Sequence, residues 1–337
     1  MRLLMVAPLL GGQGRVPDVF ESLGPLLEGA GHEVALTSTH TAAGRRSLDM
    51  VRTTRRCHRA VDAVIVHLYS GRAFAVEAAV QRAAGTTPTI GVLSGGRFPE
   101  FTQRHPRAVP AVLDRFTRLV APSAYLARWA EQVSTTPATV VPNPLDLAGY
   151  PQRAEGPVRP RLLWLRAYHD IYAPEVAVRA AAVLAERYDD LVLTMVGDDK
   201  GERAATSTLV HDLGLDDRVS VGGFAGPDEK RRLLAGHDVF LNTSRVDNRP
   251  VSVVEAAGSG LCVVSTGVGG VPDLVEDGAS ALLVAPDDPE AVAEAVTRLV
   301  EDPALAARVA AGGRAVAEAG RPEVVVAAWE RLLSELA

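Results

Sequence analysis

Two doubly wound α/β domains, each built on a parallel sheet, are what the 337-residue sequence predicts. Three observations carry that expectation. Short β-branched apolar runs alternate with longer amphipathic segments rich in Ala, Leu and Arg along the whole chain, which is the pattern of βα units. The pattern runs twice, before and after PQRAEGPVRP (151–160), a proline-containing stretch with no periodic apolar face that reads as a linker. With 47% hydrophobic and 23% charged residues and no low-complexity tract, the chain suits two ordinary cores.

In the first half the strand candidates are 2–6, 33–37, 63–67, 88–93, 117–121 and 138–141, with the clearest helices near 15–30, 45–60 and 71–83. In the second half they are 161–165, 191–196, 218–221, 238–241, 262–264 and 281–284, separated by helices such as 174–187, 203–213 and 250–259. Only helices follow. Ligands bind beyond the carboxyl ends of strands in such sheets, so two domains joined by one linker leave a cleft where the chemistry is expected.

A net charge of −6 argues against nucleic-acid binding, which draws its affinity from cations neutralising phosphates. Cys57 and Cys262 lie far apart without metal-ligand spacing, and Cys262 in LCVVST reads as a small buried hydrophobe. MRLLMVAPLL reads as a first strand rather than a signal sequence, and no apolar run approaches a membrane span of about 20 residues. The expected location is the cytoplasm, free or peripheral to a membrane. P-loop, GxSxG and HExxH patterns are missing from the sequence, and GGQG (11–14) fails the dinucleotide fingerprint because Pro17 stands where a small residue is needed.

The most informative stretch is 240–284. After a strand ending near Leu241 come a polar loop, Asp247 and Asn248, then Pro250 where a first helical turn tolerates it, then an apolar helix containing Glu255. The seven residues between Asp247 and Glu255 put one carboxylate in the loop and the other inside the helix, where both can border one ligand. Free amides near Val251 and Ser252 make an anion site suited to a diphosphate. The carboxylates suit hydroxyls: Glu255 those of a ribose, Asp247 those of a sugar. The plain alternative is that Asp247 and Asn248 merely cap the helix and Glu255 is solvated.

This stretch resembles retaining glycosyltransferase family 4, glycosyl transferases group 1, in its acidic residue, seven residues and glutamate, followed by a strand and a Gly-Gly-x-Pro turn, here Gly269 to Pro272. GHEV (31–34), APSAYL (121–126) and VPNPLD (141–146) are similar to further landmarks of that family. The resemblance implies the GT-B fold of two facing Rossmann-like domains: 1–155 on the acceptor side, 156–320 binding the nucleotide-sugar, and a last helix, 321–337, crossing back to the first domain. It also implies a hexosyltransferase-like, retaining transfer, without cofactor or metal, from a nucleotide-sugar such as a UDP- or GDP-sugar. The departing phosphate would itself help deprotonate the acceptor.

By the same resemblance Arg166 matches the phosphate-binding arginine, while Leu165 and Tyr172 stand where glycine and lysine are usual, and Asp247 replaces a glutamate. Arg249 or Arg97 would then supply the missing cation. The GGF stretch, Gly222, Gly223 and Phe224, falls where the family's backbone meets the nucleobase, and GDDK (197–200) reads as a structural turn.

In the first half, Gly11 and Gly12 let backbone approach a ligand closely. His67 closes the VIVH strand, and Ser94 to Arg97 follow TIGVL, so Gly11, His67, Ser94 and Arg97 are the acceptor-side candidates. Catalytic candidates are thus Asp247, Arg166 and His67; donor-binding candidates are Glu255, Asn248, Val251, Ser252, Gly12, Gly222, Gly223 and Phe224. The acceptor is expected to be a small molecule, a glycan or a lipid-linked species. Arg52, Arg55, Arg56 and Arg59 recur at helical spacing, either a solvated face or a patch for anionic lipid or acceptor. Two alternatives stay open: a nucleotide-sugar epimerase of the same fold, and a non-catalytic nucleotide-sugar-binding module.

Overall fold

The computed structural model describes residues 1–11, 18–154 and 156–336. The chain divides into two compact units, Met1–Asp146 together with Gly320–Ala337, and Leu147–Ala319.

In the first unit β1 (Arg2–Val6), β2 (Glu33–Thr37), β3 (Ala63–Tyr69), β4 (Thr89–Ser94), β5 (Arg118–Ala121) and β6 (Ala138–Val140) form a parallel sheet in the order β2-β1-β3-β4-β5-β6. The second unit repeats the plan. There β7 (Arg161–Leu165), β8 (Val192–Val196), β9 (Val219–Gly222), β10 (Val239–Asn242), β11 (Cys262–Thr266) and β12 (Leu282–Val284) are parallel in the order β12-β11-β10-β7-β8-β9. Strand order reverses between β1 and β3 and again between β7 and β10, and those switch points are where open sheets hold ligands.

Successive side chains of a strand face opposite sides of its sheet. Leu3 and Met5 accordingly pack with Phe20 and Leu27, while Leu4 and Val6 pack with Val64 and Phe98. Across the second sheet Leu162 and Trp164 join one cluster and Leu163 the other. Helices cover both faces, which is why these strands read as unbroken apolar runs.

The last helix, Pro322–Ser334, belongs to the first unit: Val325, Trp329, Leu332 and Leu333 enter the same cluster as Leu3, Met5 and Phe20. Leading into 151–160, the chain is held by the second unit. Tyr150 donates its hydroxyl to Glu255 at 2.7 Å, Gln152 Nε2 donates to the Gly258 carbonyl at 2.9 Å, and Arg153 pairs with Asp238 at 2.9 Å. Among the described residues no helix is long and apolar enough to cross a membrane.

Candidate functional site

At the switch point of the second sheet, Arg166 follows β7 and the 243–250 loop follows β10. Three contacts tie these segments together. Trp164 Nε1 donates to Thr243 Oγ1 at 3.0 Å, and Thr243 Oγ1 lies 2.8 Å from the Tyr172 carbonyl. Arg166 Nη2 then donates to Asp247 Oδ2 at 2.8 Å.

The rest of the cluster fixes that pair. The Arg166 guanidinium lies 4.0 Å over the Tyr172 ring, its Nη1 reaches Ser252 Oγ at 3.4 Å, and its Nε is buried without a hydrogen-bond partner among the described residues. Asp247 Oδ2 also stands 3.1 Å from the Ser244 hydroxyl, and its Oδ1 accepts from the Asn248 amide at 3.0 Å. Behind the loop, a Cβ on Gly269 would sit 1.9 Å from the Asp247 carbonyl oxygen, and one on Gly270 would sit 2.2 Å from that of Asn248. The Gly-Gly turn is therefore a steric necessity for the position of Asp247 and Asn248. Gly197 does the same for Arg166, since a Cβ there would fall 1.7 Å from the Arg166 carbonyl oxygen.

The helix that opens this site is Val251–Gly258, with Pro250 as N-cap and no side-chain cap. Asp247 therefore binds an arginine rather than capping the helix. Glu255 is buried and accepts from Tyr150 and from Lys230, so it is not a solvated residue either.

At the switch point of the first sheet a second polar cluster forms. Asp18 caps the helix Val19–Gly29, accepting from the Phe20 amide at 2.9 Å, and Glu21 closes the capping box. The buried His67 brings its Nδ1 to 2.9 Å from Asp18 Oδ2, the Tyr69 hydroxyl donates to the same carboxylate, and Phe20 stacks on the imidazole at 5.0 Å. Burial pushes the Asp18 carboxyl up, but the hydrogen bond and charge of His67, with Tyr69 and the Phe20 amide, outweigh it and hold its pKa below the usual value. Beneath Tyr69, whose amide donates to Glu77 at 2.9 Å, burial raises the Glu77 carboxyl to about 8, with the Asp18 charge adding to the rise.

Part of the chain is similar to known proteins. Residues 159–302 fit the family model described as Glycosyl transferases group 1. That match takes in less than half of the chain. A 128-residue stretch is 37% identical to the 2-deoxystreptamine glucosyltransferase of Streptomyces kanamyceticus, covering 38% of this chain and 33% of that protein. The chain thus spans about a third of the length of the curated relatives it matches, 32% in the case of a D-inositol 3-phosphate glycosyltransferase from Streptomyces avermitilis. Among solved structures, sucrose-phosphate synthase from Thermosynechococcus elongatus superposes with a TM-score of 0.83 at 17% identity, covering 99% of this chain and 98% of that one. Anabaena HepE, solved with UDP-glucose, gives a TM-score of 0.77 at 20% identity over 99% of this chain and 100% of its own. These likenesses are of fold, and the fold is GT-B.

Within the matched segment the structure brings Arg166, Asp247 and Ser252 together and sets Asn248 against Gly270. Gly222 ends β9, Gly223 accepts from the Gly197 amide at 3.0 Å, and Phe224 is exposed. Val251 offers an exposed side chain beside its backbone. In the first unit β3 runs on to Tyr69, so His67 lies inside the strand instead of closing it, engaged by a carboxylate the sequence reading did not pair with it. Gly11 donates its amide to Glu21 at 3.0 Å, and Ser94 is the register partner of Tyr69, while Arg97 is exposed. Gly12 and Gly14 lie outside the described residues. Arg52, Arg55, Arg56 and Arg59 are exposed, but the helix ends at Cys57, and Arg59 falls in the single 3₁₀ turn that follows, His58–Ala60.

Sequence reasoning missed Lys230, Tyr150, Asp18 and Tyr69. Asp18 carried a readable signal, an aspartate three residues before Glu21 at a helix start. Lys230 and Tyr150 carried none, because their meeting with Glu255 depends on tertiary packing.

Proposed function

We propose that the chain transfers a sugar from a nucleoside-diphosphate sugar to an acceptor hydroxyl, with retention of anomeric configuration and without a metal ion. The observation that carries this reading is the Arg166–Asp247 pair at the β7/β10 switch point, inside the segment that fits the glycosyl transferases group 1 model. Arg166, with the Val251 and Ser252 amides, receives the diphosphate, where fixed positive groups stabilise charge as it develops on the leaving oxygen. Asp247 and Asn248 hold sugar hydroxyls; Glu255, fixed by Tyr150 and Lys230, holds the ribose. Gly222, Gly223 and Phe224 border the base. In the first unit His67, oriented by Asp18, serves the acceptor with Gly11, Ser94 and Arg97. The bond between the anomeric carbon and the diphosphate oxygen breaks, the acceptor oxygen bonds to that carbon on the same face, and the acceptor proton passes to the departing phosphate.

HepE's structure with UDP-glucose supports a UDP-sugar as the first donor to try. The test is acceptor-dependent release of nucleoside diphosphate from UDP- and GDP-sugars across a panel of small-molecule, glycan and lipid-linked acceptors, with the anomer read by NMR and EDTA present. An α-linked product from an α-donor, unaffected by EDTA, is expected. An inverted product, EDTA-sensitive turnover, or a donor altered with no acceptor present contradicts the reading.

A further inference from the structure

We propose that Arg249 is an anion-binding residue that takes the donor's diphosphate alongside Arg166; this rests on the reading of the second unit as a nucleotide-sugar site. The charge balance around the ends of β7 and β10 leads to it. Arg166 is matched by Asp247 at 2.8 Å, Lys230 is matched by Glu255, and Arg245 is matched by Asp287 at 2.7 Å and by Glu175. Each of these cations already has a carboxylate partner.

Arg249 does not. It is half-buried, yet among the described residues its guanidinium has neither a carboxylate partner nor a hydrogen-bond acceptor. Burial alone pushes its pKa down to about 10. A partly desolvated guanidinium without a counter-ion carries an uncompensated charge, and a ligand anion is what would compensate it.

Its backbone is also tied down. Arg249 stands between Asn248 and Pro250, which opens the helix Val251–Gly258, and the Gly270 amide donates to the Asp247 carbonyl of the same loop at 3.1 Å. A diphosphate brings more than one negative charge, and Arg166 is shared with Asp247. A second, uncommitted guanidinium has the fork of donors that suits phosphate oxygens. Arg97, the other cation the sequence suggests, is exposed and belongs to the first unit.

Titration calorimetry with UDP, GDP and ADP identifies the nucleotide that the full chain binds. That diphosphate and its nucleoside are then measured on Arg249→Gln and Arg249→Lys, with thermal unfolding of each ligand-free variant. Arg249→Gln is expected to weaken the diphosphate about ten- to a hundredfold and the nucleoside by less than about twofold, as loss of charged hydrogen bonds requires. Arg249→Lys recovers part of the affinity, and ligand-free Arg249→Gln melts no lower than the wild type. Unchanged diphosphate affinity, equal loss for nucleoside and diphosphate, or a clearly lower melting temperature overturns the assignment. Unchanged UDP affinity with a lost preference for a donor whose sugar bears a carboxylate would move Arg249 to the sugar and likewise overturn it. If wild type binds none of the nucleotides, the donor-site reading itself fails, a result distinct from any of these.

Discussion

Removing the Asp247 carboxylate as Asp247→Asn leaves Arg166 charged in a pocket where its side chain is 12% exposed and that of Asp247 9%. Breaking one side of a buried pair costs about 3–5 kcal/mol, and the stack on Tyr172 together with the residual exposure places this one near the lower end, about 3 kcal/mol. In a unit of this size that corresponds to a fall in melting temperature of about 6–12 °C. Arg166→Met should cost less, because Asp247 keeps the Ser244 hydroxyl and the Asn248 amide. The double variant should be little worse than Asp247→Asn alone, giving a coupling energy of at least about 1.5 kcal/mol in a cycle measured by urea unfolding. Additivity within about 0.5 kcal/mol would refute the pairing as the organising contact of the site.

Gly270→Ala should displace the Asn248 carbonyl, since the added Cβ would lie 2.2 Å from it, and should lower stability by about 1–3 kcal/mol while abolishing nucleotide binding measured by calorimetry. Trp329→Ala, at a position only 2% exposed in the first unit's core, should cost about 3–5 kcal/mol in denaturant unfolding. Glu77 has a folded pKa raised to about 8 from 4.5, so its neutral form favours the fold at low pH and that contribution is lost as pH rises from 4.5 to 8. Glu77→Gln should therefore stabilise the protein at pH 8 by on the order of 1 kcal/mol or more and much less at pH 4.5, as read from melting temperatures. If the exposed face of Arg52, Arg55, Arg56 and Arg59 docks on lipid, the protein should sediment with anionic vesicles and not neutral ones, and charge reversal of Arg52 and Arg56 should abolish it; equal binding to both, or none, counts against it.

Much of the fold was legible because each strand is a short apolar run between turn residues, and parallel strands covered on both faces leave that signature most plainly. All six strands expected in each half form, with ends shifted by at most two residues, as β3 shows by running to Tyr69 rather than His67. Asp247 could be singled out from sequence by its seven-residue spacing to Glu255 in the loop before a helix, and Arg166 by the family resemblance of the segment after a strand. Their direct pairing could not be read, since 81 residues separate them. The engagement of Glu255 by Tyr150 and Lys230 was hidden for the same reason, with separations of 105 and 25 residues. His67 shows the limit from the other side: its residue type suggested chemistry, but the carboxylate that orients it comes from a helix cap 49 residues away.

The most direct test of the donor site is a thermal-shift screen of wild type and Glu255→Ala against UDP, GDP, ADP, dTDP and sugars of each. A nucleoside diphosphate present at a hundred times its Kd should stabilise the wild type by about 2.7 kcal/mol. Stabilisation by one nucleotide family, lost in Glu255→Ala, is expected, whereas no stabilisation of the wild type by any of them would rule out a nucleotide-sugar site in the second unit.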